Sequence, residues 1–277
     1  MRPPAATASD LLLAYGTRMA LTGASFELPA GATIALIGPN GSGKSTLLRA
    51  LAGLLEARSG TLDVPAGRTR GAVAIVLQAT DVDRSLPVTV REAVTMARYA
   101  VRGPFARLRA DDRAAVRSAL ESMDVADLAG RQIHELSGGQ RQRVLVAQGL
   151  AQQAELLLLD EPVTGLDIVS RELIMTAIEA ERAAGTTVVV TTHDLDDARR
   201  ADLVMLLANR VVAFGAPDEV LTDEPLCAAY GGRVLRVPEG VIVMDDPHHH
   251  ADHDGRRDPL GDRGMCVHEP GHHRADV

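Results

Sequence analysis

The chain has 277 residues, of which 46% are hydrophobic and 24% charged, and its net charge is −8. This composition is typical of a globular protein, and the negative charge argues against nucleic acid as the main partner, since duplex binding needs a basic face. The longest apolar candidate, residues 203–215, is interrupted by Asn209 and Arg210. We therefore expect no membrane span and a cytoplasmic location. Cys227 and Cys266 are expected to be free thiols.

The apolar pattern predicts an α/β fold. Residues 9–64 alternate apolar runs with Gly and Pro turns, which predicts strands and a helix that begins near Gly43. Residues 81–150 carry helical spacing, with Asp111 or a near neighbour as the cap of the second helix. Residues 155–215 return to strand–helix alternation: "ELLLLDEP" is typical of a buried parallel strand, and a helix that ends at Gly185 precedes the strand "TTVVVTTHD". Alternation of this kind favours a parallel sheet.

The last part of the chain differs from the rest. Residues 245–277 hold eight acidic residues, four arginines and seven of the nine histidines, with no apolar period. We predict a disordered or metal-ordered tail over residues 241–277. Two interpretations stay open: a solvated polar tail with incidental metal affinity, or a Zn²⁺ buffer or sensor that modulates the rest of the protein. The second would use His248, His249, His250 and His253.

Residues 38–46, "GPNGSGKST", fit the pattern G-x-x-x-x-G-K-[ST] between a predicted strand and an amphipathic helix. The glycines allow N–H groups to converge on a phosphate, and the helix N-terminus adds positive charge. Lys44 is predicted to reach the β and γ phosphates of a nucleotide, and the Ser45 hydroxyl to bind Mg²⁺. Lys44 is the only lysine among 29 basic residues, which indicates a slot that accepts an ammonium and not a guanidinium.

A second acidic element follows the apolar run at residues 156–159. It ends in Asp160 and Glu161, and because strand side chains alternate, the two carboxylates need not have the same role. One is expected to support Mg²⁺ and the other to polarise an attacking water. By itself this pair is a weak signal, but beside a phosphate loop it indicates a nucleotide hydrolase.

With "LSGGQ" at residues 136–140, the chain resembles the ATP-binding subunits of ABC transporters from about residue 9 to 237. Other matching positions are Tyr15, Gln78, His193 and the run Gly165, Leu166 and Asp167. The resemblance implies a P-loop NTPase fold with an antiparallel β subdomain and an inserted helical subdomain at about residues 81–150, in one ATP-binding domain over residues 1–240. Less specific alternatives are a turn or core role for Tyr15, an ordinary polar loop role for Gln78 and a structural role for His193.

The resemblance also implies a mechanism in which two copies enclose two ATP molecules head to tail. Glu161 would be the general base, His193 would hold the γ-phosphate, and Lys44 and Gln78 would complete the catalytic set. Mg²⁺ would be held by Ser45, Gln78 and Asp160. ATP would be bound by Tyr15, by Gly38, Pro39, Asn40, Gly41, Ser42, Gly43, Lys44, Ser45 and Thr46, and by Ser137, Gly138, Gly139 and Gln140 of the second copy.

The cargo is less specific than the nucleotide. Residues 81–113 and "EPVTGLD" at 161–167 resemble the branch that imports zinc and manganese. This implies a separate membrane permease, attachment to the cytoplasmic face of the membrane, and an extracytoplasmic metal-binding protein. Alternatives are importers of iron–siderophore complexes or cobalamin, another ABC transporter, or a soluble ABC ATPase, although the single phosphate loop and the absence of heptads disfavour the last.

Overall fold

A six-stranded sheet lies at the centre of the protein. The structure is a computed structural model, and it describes residues 2–78, 87–231, 234–236 and 242–244. The strand order is β5-β6-β7-β3-β8-β9, and only the β8–β9 pair is antiparallel. The strands are β3 (Thr33–Ile37), β5 (Val73–Val76), β6 (Leu156–Leu159), β7 (Thr187–Thr191), β8 (Leu203–Leu207) and β9 (Val211–Gly215). The predicted parallel α/β sheet is thereby confirmed.

A second, antiparallel sheet has the order β2-β1-β4. Its strands are β1 (Ala6–Tyr15), β2 (Arg18–Leu28) and β4 (Ser59–Asp63). A two-residue turn joins β1 to β2, with Gly16 at φ 58°, where a glycine is favoured. A small hairpin pairs β10 (Val234–Arg236) with β11 (Ile242–Met244). The proposed tail lies otherwise outside the described residues, so the division at residue 240 stays a prediction.

Eight helices connect these strands in the described part of the chain. They are α1 (Lys44–Leu51), α2 (Val90–Arg102), α3 (Ala110–Ser122), α4 (Gly138–Gln152), α5 (Ile168–Ala183), α6 (Leu195–Arg199), α7 (Pro217–Val220) and α8 (Asp223–Tyr230), with 3₁₀ turns at Pro65–Arg68, Ala126–Leu128 and Ile133–Glu135. Over the described residues, no helix is long and apolar enough to cross a bilayer.

The central sheet separates two hydrophobic cores. Alternate residues of β3 face opposite sides: Ile34 and Leu36 pack with α1 and the antiparallel sheet, whereas Ala35 and Ile37 pack in the core that contains α2, α4 and α5. All five β3 residues are buried, as expected for a parallel strand that is covered on both faces. The antiparallel sheet with α1 and the group of helices with α2, α4 and α5 therefore pack on opposite faces of one sheet.

The N-termini of α2 and α3 are capped by side chains. Thr89 and Glu92 form a reciprocal capping box on α2. On α3 the capping side chain is Asp112, the near neighbour of Asp111: it is the third helical residue, and its Oδ2 accepts the N–H of the N-cap residue Arg109 at 2.8 Å. Asp111 itself is exposed in the first turn. The choice between the two adjacent acids is set by contacts with a different helix.

Those contacts form a buried ion pair between α2 and α3. Arg98 on α2 donates to Asp112 Oδ1 at 2.9 Å, and Arg102 donates to the same oxygen at 3.0 Å. The Asp112 side chain is fully buried, and Arg98 is 6% exposed. Arg98 also donates to the carbonyls of Ala151 and Gln152, which end α4, where a cation is favoured by the helix dipole. The pair therefore holds three helices together.

We predict that Asp112→Asn lowers the free energy of unfolding by about 3–5 kcal/mol, because Arg98 then keeps a buried charge without a full counter-charge. The Arg109 N–H bond, and after it the two guanidinium groups, lower the pKa of Asp112 from 3.8 to about 2 against the effect of burial. The stabilisation of the fold by the ionised Asp112 carboxylate should thus be complete above pH 3.8 and disappear as the pH falls through about 2.

Urea unfolding at several pH values measures both effects. The exposed neighbour Asp111→Asn is the matched control and should change the stability by less than about 0.5 kcal/mol. Equal losses in the two variants would contradict the assignment.

Candidate nucleotide site

The phosphate loop lies between β3 and α1, at the carboxyl end of the central strand. Gly38 has φ 142° and Gly43 has φ 105°. A Cβ on Gly38 would lie 2.0 Å from the Leu207 carbonyl oxygen, and one on Gly43 would lie 2.6 Å from that of Ala20. Both glycines are therefore required by backbone conformation and by the close approach of neighbouring backbone.

Lys44 is buried inside this loop, with 6% of its surface exposed. Its Nζ donates to the carbonyl oxygens of Gly38 at 2.7 Å and Pro39 at 3.1 Å. The ammonium is a compact donor on a slim stem, so it fits among converging carbonyls where a planar guanidinium would need more room. This arrangement is consistent with the occurrence of the chain's only lysine here.

The hydroxyl of Ser45 meets the carboxylate that follows β6. Ser45 Oγ donates to Asp160 Oδ1 at 3.0 Å, and Thr191 Oγ1 donates to the same oxygen at 2.7 Å. Asp160 is 7% exposed, so these bonds are made in a largely desolvated setting where they are strong. A buried cluster of hard oxygen donors therefore lies beside the phosphate loop.

Glu161 occupies a different position from Asp160, as the sequence predicted for adjacent carboxylates. Its φ is 47°, its N–H donates to Thr191 Oγ1 at 2.8 Å, and its carboxylate accepts a bond from Thr164 Oγ1 at 3.2 Å. Glu161 is half-buried. The backbone of Glu161 is thus tied to Thr191, which also bonds Asp160, and its carboxylate is oriented by Thr164.

The residues 136–140, "LSGGQ", here called the signature, cap the N-terminus of α4. Ser137 Oγ accepts the Gln140 N–H at 3.2 Å and Gln140 Oε1 accepts the Ser137 N–H at 3.1 Å. A Cβ on Gly139 would lie 3.6 Å from Asp167 Oδ2, so the signature lies beside the segment before α5. Within the described part of the chain, the Ser137 side chain bonds Gln140 and not the phosphate loop of the same chain, and Ser137 and Gly138 are exposed.

The other predicted site residues lie at the surface. Tyr15 is 44% exposed at the end of β1, which excludes a core role, and its hydroxyl accepts a bond from Arg49 on α1 at 3.2 Å. Gln78 is exposed two residues beyond β5 and lines a groove of about 490 Å³ between β5, α2 and α4. His193 is exposed two residues beyond β7. Tyr15 is thus the last residue of β1, whereas Gln78 and His193 each lie two residues beyond the carboxyl end of a parallel strand.

Arg171 on α5 fixes the loop that contains His193, and sequence reasoning did not find it. Its guanidinium donates to Asp194 at 2.8 Å and to Asp197 at 2.7 Å. Burial raises the pKa of Asp197, and Arg171 only partly offsets the effect. Burial also opposes ionisation of Asp194, but the Asp196 N–H and Arg171 prevail and lower its pKa. The position of His193 is thereby tied to the helix that follows Asp167.

Thr191 and Asn209 were also missed. Thr191 is one of four threonines in the strand pattern at residues 186–194, and nothing in that pattern distinguishes it from the other three. Asn209 interrupts an apolar run in the sequence, and an asparagine between two strand patterns also indicates a turn. Asn209 adopts φ 54° between β8 and β9 and donates to the Gly41 carbonyl at 3.1 Å.

A phosphate loop after the central strand, an acidic strand end and a capped signature helix beside an antiparallel sheet define a P-loop ATPase of the ABC class. The sequence matches the ABC transporter family over residues 21–164. The chain therefore belongs to that family, and it binds and hydrolyses ATP as the ATPase component of a transport system.

Relatives and solved structures agree with this assignment. The zinc transport system ATP-binding protein TroB of Treponema pallidum is 41% identical over 81% of this chain and 86% of its own length. The manganese transport system ATP-binding protein MntB of Bacillus subtilis is 37% identical over 84% and 95%. An inward-facing ABC transporter described as of metal-chelate type is 28% identical, with a TM-score of 0.73 over 87% of this chain and 98% of that one.

We predict that Lys44→Arg, which yields a chain without lysine, loses ATP binding by at least about tenfold, because the guanidinium cannot occupy the buried slot among the loop carbonyls. Calorimetric titration with ATP measures the loss. Arg117→Lys, at an exposed position of α3, is the matched control and should retain the affinity. Wild-type affinity in Lys44→Arg would contradict this account of the slot.

Proposed function

We propose that the chain powers the import of Zn²⁺ or Mn²⁺ through a separate membrane permease, at the cytoplasmic face of the membrane. The observation that supports this cargo is the similarity to zinc and manganese transport ATPases at 36–41% identity over at least four-fifths of the chain. An extracytoplasmic metal-binding protein would deliver the ion. An importer of metal chelates is the second candidate, because a solved structure of that type shares the fold at 28% identity.

In this proposal the phosphate loop and Lys44 hold the β and γ phosphates, and Tyr15 stacks on adenine. Mg²⁺, which neutralises the phosphate charge when it is bound, would be held by Ser45, Asp160 and the amide oxygen of Gln78. The donor set fits this ion, since Mg²⁺ prefers hard oxygen ligands. The 3.0 Å contact between Ser45 and Asp160 already brings two of these donors together.

Glu161 is the better of the two carboxylates for the general base. Asp160 is buried and one of its carboxylate oxygens accepts bonds from the hydroxyls of Ser45 and Thr191. These two bonds fix the orientation of its carboxylate. Glu161 is more exposed than Asp160. Among the described residues its carboxylate accepts a side-chain bond from Thr164 alone, on Oε2, so Oε1 is available to take a proton from water. His193, on the loop held by Arg171, would hold the γ-phosphate.

A second copy would complete the site with Ser137, Gly138, Gly139 and Gln140. These residues begin a helix of 15 residues, whose N-terminal dipole favours an anion. Ile168 and Val169, next to Asp167, are 81% and 69% exposed. An exposed apolar pair beside the signature supports a surface that a second copy covers.

The groove that contains Gln78 is the proposed permease site. It is lined by Met96, Ala97 and Ala100 of α2 and by Leu145 and Gly149 of α4, and Met96 is 49% exposed. A groove of this composition fits an amphipathic helix. Gln78 forms part of its wall, so a helix in the groove would contact a residue assigned to the Mg²⁺ site.

We predict that Glu161→Gln retains ATP binding but lowers turnover by at least about a hundredfold, because the amide cannot accept the proton of the attacking water. Size-exclusion chromatography with ATP should then show a stable dimer. Glu155→Gln, just before the other end of β6, is the control and should hydrolyse ATP normally. Wild-type turnover in Glu161→Gln would refute the base assignment.

Reconstitution with the permease in vesicles tests the cargo. We expect ATP-dependent uptake of Zn²⁺ or Mn²⁺ and none of iron–siderophore complexes or cobalamin; the reverse result would favour the second candidate.

Met96→Glu should abolish uptake and co-purification with the permease while the purified subunit still binds ATP, since a charge in the groove opposes docking. Leu54→Glu, at another exposed apolar position, should retain both uptake and co-purification.

The metal-binding role of His248, His249, His250 and His253 lies outside the described residues and stays a prediction.

A further inference from the structure

Asn209 forms hydrogen bonds to the phosphate loop from the turn between β8 and β9. Its Nδ2 donates to the Gly41 carbonyl at 3.1 Å and to the Ala20 carbonyl at 3.1 Å. Its backbone N–H donates to the Ser42 carbonyl at 2.9 Å, and its own carbonyl accepts the Thr22 N–H at 2.8 Å. One residue therefore bonds two consecutive peptides of the phosphate loop and two residues of β2.

These bonds fix which way the loop amides point. In a planar trans peptide, the C=O of one residue and the N–H of the next point in opposite directions. Because Asn209 holds the carbonyls of Gly41 and Ser42 on the outside, the N–H groups of Ser42 and Gly43 point to the inside. The Ser42 N–H does so, since it bonds the Pro39 carbonyl across the loop at 3.1 Å.

The same bonds connect the two ends of the nucleotide site. Strand β2 begins at Arg18, which pairs across the turn with Tyr15, the residue assigned to adenine. The Ala20 carbonyl, two residues further on, also sets the close approach that requires glycine at residue 43. Asn209 thus joins the strand on the adenine side to the loop on the phosphate side.

The residue type matches this task. At φ 54° the backbone favours Gly or Asn, and a glycine would supply the turn without the side-chain donors. An aspartate would fill the same space with a carboxylate, which accepts and does not donate. Only the carboxamide provides both the left-handed conformation and two N–H groups for two carbonyls.

We propose that Asn209 is a positioning residue for ATP: it preorganises the phosphate loop and fixes its spacing from the strand that presents Tyr15. The proposal rests on ATP binding at this loop and is independent of the transported ion. It predicts that nucleotide affinity, more than fold stability, depends on the Asn209 side chain.

The test is Asn209→Gly in the purified full-length chain, because glycine keeps the backbone conformation and its hydrogen bonds. We expect the Kd and KM for ATP to rise about tenfold, from the loss of two side-chain bonds, with a smaller change in kcat. Asp10→Gly on β1 is the matched control: Asp10 also has a positive φ, of 48°, and this variant should bind ATP as the wild type does.

Asn209→Asp is the second variant, and it keeps the side-chain volume if glycine loosens the turn. It should also weaken ATP binding at least about tenfold, because it cannot donate to either carbonyl. Thermal unfolding identifies the folded samples. Wild-type Kd for ATP in either folded variant would overturn the proposal, as would an equal loss of affinity in Asp10→Gly.

Discussion

Oδ1 of Asp160 accepts hydrogen bonds from two hydroxyls, and this oxygen joins the ends of three elements. Ser45 belongs to α1, Thr191 ends β7, and Asp160 itself follows β6. Because the carboxylate is almost fully buried, an unmade bond would leave a desolvated acceptor at a cost of about 1–3 kcal/mol or more. Thr191 extends the arrangement by accepting the Glu161 N–H. The catalytic chemistry proposed for the site therefore depends on this one junction.

The central sheet connects the Asp160 junction to the subdomains that pack on its two faces. Its first face holds the antiparallel sheet with Tyr15, and its second holds the helices that carry the signature. Helix α4 begins at the signature and ends at a clamp, where Gln152 Nε2 donates to the Gly71 and Val73 carbonyls at 3.0 and 2.6 Å and Arg98 binds its terminal carbonyls. The strand held by this clamp, β5, leads to Gln78. A partner in the Gln78 groove would thus contact both Gln78 and the helix that begins at the signature.

Local motifs such as the phosphate loop were predictable because the residues that form them are consecutive in the sequence. The phosphate loop needs glycine at two fixed places and a lysine next to the second, so the pattern at residues 38–46 identified both the loop and the start of α1. The parallel sheet was equally accessible, since strands covered on both faces must be apolar throughout. The cap of α3 was placed only approximately, because Asp111 and Asp112 are equivalent by composition. Arg98, 14 residues before Asp112, decides between them.

By itself, the sequence determined the α/β class, the alternation of strands and helices along the chain and the family to which the chain belongs, and it predicted the candidate residues of the nucleotide site. These properties follow from residue type and spacing within short segments. The tertiary structure decided which groups meet: that Thr191 shares Asp160 with Ser45, that Arg171 fixes the loop of His193, and that Asn209 holds the phosphate loop against β2. Such contacts join residues far apart in the chain, and no local pattern specifies them, because the sheet register and the turn conformations that bring them together are set by the packing of the whole fold.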